Sequence, residues 1–177
     1  VVGISTRVQY SSFEQKMRDL GFQNVIDSKF IGRYKINEII VDLMPINEDI
    51  LGFSNKWYTE GIEKSFWYEI DNDVSIRLMP FHYFIASKIE ALNSRNKGDL
   101  RQSKDFEDIV YSFDNKLDPL TDLQQASGDV DAYLKEEMNN LMEDLNFHEG
   151  VYYNMSSANA SSRTARLKRI WSAFLAD

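Results

Sequence analysis

The chain has 177 residues, 43% hydrophobic and 27% charged, with a formal net charge of −8 and no cysteine. That length buries a core without covalent staples, and the missing cysteines exclude disulfides, thiolate metal sites and a cysteine nucleophile. The acid surplus argues against nonspecific binding to duplex DNA, two histidines (His82 and His148) are too few for a multi-histidine zinc site, and no apolar run approaches the roughly 20 residues that span a bilayer, so a cytoplasmic protein without a membrane partner is expected.

In chain order, Val1-Val2-Gly3-Ile4 reads as the tail of a buried strand. Ser11 with Glu14, or Ser12 with Gln15, has capping-box spacing ahead of a helix carrying Phe13, Met17 and Leu20, with Gly21 as its stop. Residues 30–36 read as a strand, Asn37-Glu38 as a hairpin-length turn, and Ile39 to Met44 as a β-branched strand ended by Pro45. Residues 66–78 read as two strands around a turn at Asp71-Asn72-Asp73. Beyond Pro80, which suits a first helical turn, the pattern is helical. Helices are expected over residues 81–92, 103–113, 130–145 (Val130, Leu134, Met138, Leu141, Leu145) and 162–175 (Leu167, Ile170, Trp171, Phe174). Residues 93–102 read as a polar loop, and 154–162 as a flexible connector. The expected fold is α+β: a mixed sheet with helices over residues 1–79, then a helical region over 80–177.

Three features break these patterns. On a helical wheel Lys88 falls in the middle of the arc of Phe81, Phe84, Ile85 and Leu92, while Glu90 points to the opposite face. An ammonium there either snorkels or pairs with an acid, or it grips a phosphate in a cleft. Asp42 sits in a strand with no polar face, where a carboxylate either bonds backbone beside Pro45 or ligates a metal. Arg95-Asn96-Lys97-Gly98-Asp99 precedes Ser103-Lys104-Asp105-Phe106-Glu107-Asp108, where Ser103 is an N-cap, Asp105 and Asp108 lie one turn apart on a flank away from the core stripe, and Lys104 reaches Asp108 at i,i+4. That segment is either a well-capped surface helix or a polar wall of the cleft that Lys88 faces. His82 lacks a partner motif. Trp57-Tyr58 and Phe66-Trp67-Tyr68 read as packing, and Arg163, Arg166, Lys168 and Arg169 as a solvated face or a docking surface for RNA or an acidic partner.

The order of four phrases is fairly specific: Ile40 to Pro45, Ile50 to Tyr58, Ala86-Ser87-Lys88-Ile89-Glu90-Ala91, and Arg95 to Asp99 with Ser103 to Ile109. Over about residues 1–116 the chain resembles bacterial proteins of the nucleotidyltransferase superfamily grouped with the AbiEii/AbiGii abortive-infection toxins. The resemblance implies transfer of a nucleotidyl group from an NTP to RNA or protein, aided by a divalent metal, Mg²⁺ or Mn²⁺, held by a D-x-D pair and a third carboxylate. By resemblance Asp42 is that third carboxylate and catalytic, Lys88 is catalytic and meets the phosphates, and Asp105 and Asp108, with Lys104 beside them, border the nucleotide. The family's cellular role is often that of a toxin paired with an antitoxin protein. The alternative is a noncatalytic nucleotide-binding or partner-binding module on the same fold. The family's Gly-Gly/Ser and D-x-D segments are expected ahead of Val1, so the chain on its own is expected to be inactive. Asp42 and Lys88 are expected to face one cleft.

Overall fold

Thr6, rather than Ser11 or Ser12, opens the first helix in the computed structural model, which describes residues 1–26, 32–95, 98–155 and 158–177. Its hydroxyl accepts the Gln9 N–H at 3.2 Å, and α1 runs Arg7–Asp19. The earlier start turns the buried face to Tyr10, Phe13 and Met17 and leaves Leu20 exposed. Gly21 stops the helix as expected, at φ +90°: its N–H donates to the Arg18 carbonyl and the Phe22 N–H to the Met17 carbonyl, the paired bonds of a Schellman cap.

Two compact units follow the chain, Val1–Glu63 and Lys64–Asp177, and each is described by itself. In the first, β1 (Gln23–Asn24), β2 (Arg33–Ile36) and β3 (Ile39–Asp42) form an antiparallel sheet in that order, with the hairpin turning at Asn37, φ +52°. The expected start of β2 at Phe30 and Ile31 lies outside the described residues. Tyr34, on the inner face, packs with Tyr10, Met17, Leu43 and Ile4, so α1 lies on the sheet, and the Tyr34 hydroxyl donates to Glu14 at 2.5 Å. Val1 to Ile4 is not a strand: only a bridge from Val2 to Pro45 forms, although Ile4 is buried. Two short helices complete the unit, α2 (Glu48–Leu51), capped by Asn47, and α3 (Tyr58–Glu63).

The second unit opens with the expected hairpin, β4 (Phe66–Glu69) and β5 (Ser75–Leu78), in which the Asp71 carboxylate accepts the N–H groups of Asp73 and Val74. Phe66 and Leu78 border a hollow with Phe81 and Phe84, and the hairpin falls in the same compact unit as the helices. The strand ladders are antiparallel, in a three-stranded and a two-stranded sheet, and not one mixed sheet. The fold is therefore α+β in a coarse sense, with nine helices among the described residues.

Helix α4 (Phe81–Ser94) is central to the helical unit, followed by α5 (Lys104–Asn115), α6 (Pro119–Leu123), α7 (Asp129–Glu143), α8 (Phe147–Asn154) and α9 (Ala160–Leu175). Ile85, Ile89 and Leu92 of α4 are buried, as are Phe106, Ile109, Val110 and Phe113 of α5, Val130, Leu134, Met138 and Leu141 of α7, and Leu167, Trp171 and Phe174 of α9, while Ile170 is half-buried. Aromatic rings link the helices: Phe81 to Phe113 at 5.2 Å, Phe113 to Trp171 at 5.5 Å, Trp171 to Phe147 at 5.1 Å. Leu145 is not core, because α7 ends at Glu143 and Asp144 turns the chain by accepting the Asn146 N–H at 2.8 Å. The connector is shorter than expected, since α8 reaches Asn154 and α9 begins at Ala160; Ser156 and Ser157 lie outside the described residues. None of the helices, among the described residues, is long and apolar enough to cross a membrane.

Gly150 explains why α8 sits where it does. A Cβ there would lie 2.8 Å from Leu100 Cβ and 3.1 Å from Phe106 Cε1. Gly150→Ala should therefore destabilise the protein by about 1–3 kcal/mol, despite alanine's better helix propensity, because the contact atoms are well packed. Urea unfolding measures this; an unchanged or raised midpoint would show that α8 can move aside without loss.

Candidate functional site

Ser103 starts α5 by accepting the Phe106 N–H at 3.3 Å, which places Asp105 and Asp108 one turn apart beside α4. Lys88 reaches across from α4. Its ammonium donates to Asp108 Oδ2 at 2.6 Å and lies 3.6 Å from Asp105 Oδ1. Arg95, immediately beyond α4, donates from Nη1 to Asp105 Oδ2 at 2.5 Å. Asp105 is thus bridged by two cations, which offsets the desolvation of a side chain only 8% exposed. Of the two readings of this segment, the surface-helix one is corrected at Asp105, which is buried where α5 packs on α4. Lys88, likewise, lies at the edge of the buried stripe, beside the Phe84 ring and paired with acids.

Lys104 does not pair with Asp108, which Lys88 already holds. It donates to Glu107 at 2.6 Å, and that hydrogen bond raises its pKa above the ordinary lysine value. Arg95, Gly98, Asp99, Ser103, Lys104 and Asp105 border a polar cleft of about 320 Å³. Asn96 and Lys97 lie outside the described residues. Arg95 belongs to the segment that the sequence pattern marked as a possible cleft wall, but it was given no role of its own there. Its signal was its place at the end of α4, one turn past Leu92, where a guanidinium can turn back toward the start of the next helix. With 65% of its side chain exposed, it keeps donors for an incoming anion.

Asp42 has a different surrounding, in the first unit. It pairs across the hairpin with Arg33, whose guanidinium grips both carboxylate oxygens, Nε to Oδ1 at 2.6 Å and Nη2 to Oδ2 at 2.7 Å. The bond raises the Arg33 pKa. Ile39 and Ile40 of the same strand are exposed, so the apolar sequence does not bury the acid. A Mg²⁺ ion requires several oxygen ligands in octahedral order. Among the described residues no group of three or more Asp, Glu, His or Cys side chains stands ready to hold a metal, and Asp42 is already committed to Arg33. As they stand, these residues do not fit the ion that the resemblance implies.

His82 is a packing residue. It is buried against Tyr83, with Nδ1 3.2 Å from the Asp122 carbonyl, and burial lowers its pKa against a smaller opposing pull from Asp122. The unfolded chain therefore binds this proton more readily. His82 leaves stability at its full value above the ordinary histidine pKa of about 6.5 and reduces it as pH falls below that value. The urea midpoint should begin to drop as pH falls below about 6.5, and His82→Gln should flatten that part of the curve; an unaltered slope in the variant would assign the drop to other groups. The aromatic expectation divides: Trp57 is buried, but Phe66, Trp67 and Tyr68 are exposed on β4.

Compared with protein-family models, with curated proteins and with solved structures, the chain finds no match.

Proposed function

We propose that the protein acts as a nucleotidyltransferase-type enzyme on an NTP, with RNA or protein as acceptor, and that the α4–α5 cleft holds the phosphates. The observation that supports this is the convergence of Lys88, Asp105 and Asp108 with Arg95 beside a polar cleft. The two acids hold the two cations in place before a ligand arrives, which limits the ordering cost of binding. A triphosphate would meet the exposed donors of Arg95 and draw Lys88 from Asp108, while Asp105 keeps both cations oriented. These residues can carry the hold on the phosphates; no catalytic step is assigned to Asp42. A role as a toxin with an antitoxin partner rests on the sequence resemblance.

The second reading, a noncatalytic nucleotide-binding or partner-binding module, is favoured by the Arg33–Asp42 pair. Two measurements test these readings. Calorimetry with the four NTPs should show binding to this chain. Incubation with labelled NTPs, Mg²⁺ and total RNA then tests the enzyme reading: transfer to RNA or protein supports it and overturns the expected inactivity of the chain on its own, whereas binding without transfer fits both readings. Failure to bind any NTP at about 1 mM, a free energy of only about −4 kcal/mol, would sink the enzyme and the nucleotide-binding module and leave only the partner-binding one.

A further inference from the structure

Helix α8, which the sequence pattern does not announce, turns an aromatic side outward. Phe147 and Val151 go to the core, while Tyr152 and Tyr153 are 50% and 67% exposed. Helical spacing stacks His148 with Tyr152 and Glu149 with Tyr153, since residues four apart share a face. These four side chains and Arg101 line a hollow of about 410 Å³, within the size range of small-molecule sites. Arg101 is held flat by Asp99: Nε lies 2.9 and 3.1 Å from the two carboxylate oxygens, and Nη2 lies 2.7 Å from Oδ2. Its Nη1 lies 3.6 Å from Glu149.

The charge balance decides what the hollow can take. Asp99 and Glu149 together more than neutralise Arg101, so a phosphate gains nothing there. A planar, uncharged heteroaromatic ring gains tyrosine faces and a guanidinium plane for stacking, with His148, Glu149 and tyrosine hydroxyls available to its edge. The position of the hollow narrows the choice. It flanks residues 98–102, the loop that also supplies Gly98 and Asp99 to the phosphate cleft, and the Asp99–Arg101 pair connects the two sides. The loop is fixed to α8: Asn154 Nδ2 donates to the Leu100 carbonyl at 3.2 Å, and Gly150 allows the close approach to Leu100.

We propose that the hollow lined by Arg101, His148, Tyr152 and Tyr153 is a nucleobase subsite, which seats the base of a free nucleotide beside the α4–α5 phosphate cleft. This rests on the nucleotide reading given above.

The test uses the full chain and two kinds of probe: nucleosides (adenosine, guanosine, cytidine, uridine), which lack phosphate, and inorganic tripolyphosphate, which lacks a base. At least one nucleoside should bind by calorimetry. Tyr152→Ala and Tyr153→Ala should each weaken it about tenfold, the expected effect of removing a stacking ring, while Tyr→Phe at either position changes it less than about twofold. Tripolyphosphate binding should be unaffected by the tyrosine variants. Both tyrosines are exposed, so the variants keep the fold, which circular dichroism checks. If tripolyphosphate binds and no nucleoside does, or if nucleoside affinity ignores both alanine variants, the base subsite is overturned and the phosphate cleft stands. If nucleosides bind through the tyrosines and tripolyphosphate does not bind, the subsite stands and the phosphate reading fails.

Discussion

Lys88→Ala should weaken NTP binding about ten- to a hundredfold and lower stability by only about 1 kcal/mol. A charge-assisted contact to a phosphate is worth about 1.5–3 kcal/mol, and about 1.4 kcal/mol is a factor of ten in affinity. The structure explains why the fold should lose little. When the ammonium goes, Asp105 keeps its 2.5 Å bond to Arg95, and the half-exposed Asp108 returns to water. The cost should be about 1 kcal/mol, mostly packing of the aliphatic stem against Phe84. Calorimetry and urea unfolding on the same preparation are read together, with Lys88→Arg as a charge-preserving control. Unchanged affinity with a sharp fall in the midpoint would make Lys88 a structural ion-pair residue and remove it from the proposed site.

The readings of Lys88 and Asp42 show which part of a site a sequence exposes. In both cases the pattern located a charge in apolar surroundings and so implied a partner. For Lys88 the partners were within reach of the pattern, because Asp105 and Asp108 had been marked as a pair on the next helix. What spacing could not show was that this pair faces α4 and that Arg95 joins it. For Asp42 the partner lies directly across a hairpin of known register, Arg33 opposite Asp42. That pairing could have been counted from the Asn37-Glu38 turn, had β2 and β3 been aligned residue by residue. The apolar pattern of this strand does not by itself set its burial: a run of Ile and Val fits a short exposed hairpin as well as a buried sheet.

Helices were legible where the apolar period was long and uninterrupted, as in α4, α5, α7 and α9. The missed elements were brief or carried a residue that reads as a breaker. Helix α8 contains Gly150, which normally argues against a helix, yet here the glycine is selected by the approach of Leu100 and Phe106. That contact is tertiary and leaves no local signal. The candidate base hollow was invisible for the same reason, since it needs α8 to exist and the residues 98–102 to pack on it.

Arg163→Ala should be the most destabilising change among the basic residues of α9, by about 3–5 kcal/mol. The sequence offers a basic face on this helix that reads as solvated or as a docking surface, but two of its four cations are occupied inside the unit. The Arg163 guanidinium forks onto Asp114 of α5, whose side chain is only 7% exposed. Arg166 donates to the carbonyls of Phe113 and Lys116 at 3.2 Å each, satisfying backbone acceptors at the end of α5. Removing Arg163 strands a buried carboxylate, whereas removing Asp114 leaves a longer cation that can turn toward water. Arg163→Ala should therefore cost more than Asp114→Ala, and the double variant should recover part of the loss, because no charge is left buried alone. Lys168→Ala and Arg169→Ala should stay within about 0.5 kcal/mol of the parent. Urea unfolding of the four single variants and the double variant gives the full cycle. If Arg163→Ala unfolds like the parent protein, the ion pair does not hold α9 to α5, and the face returns to being a surface available for a partner.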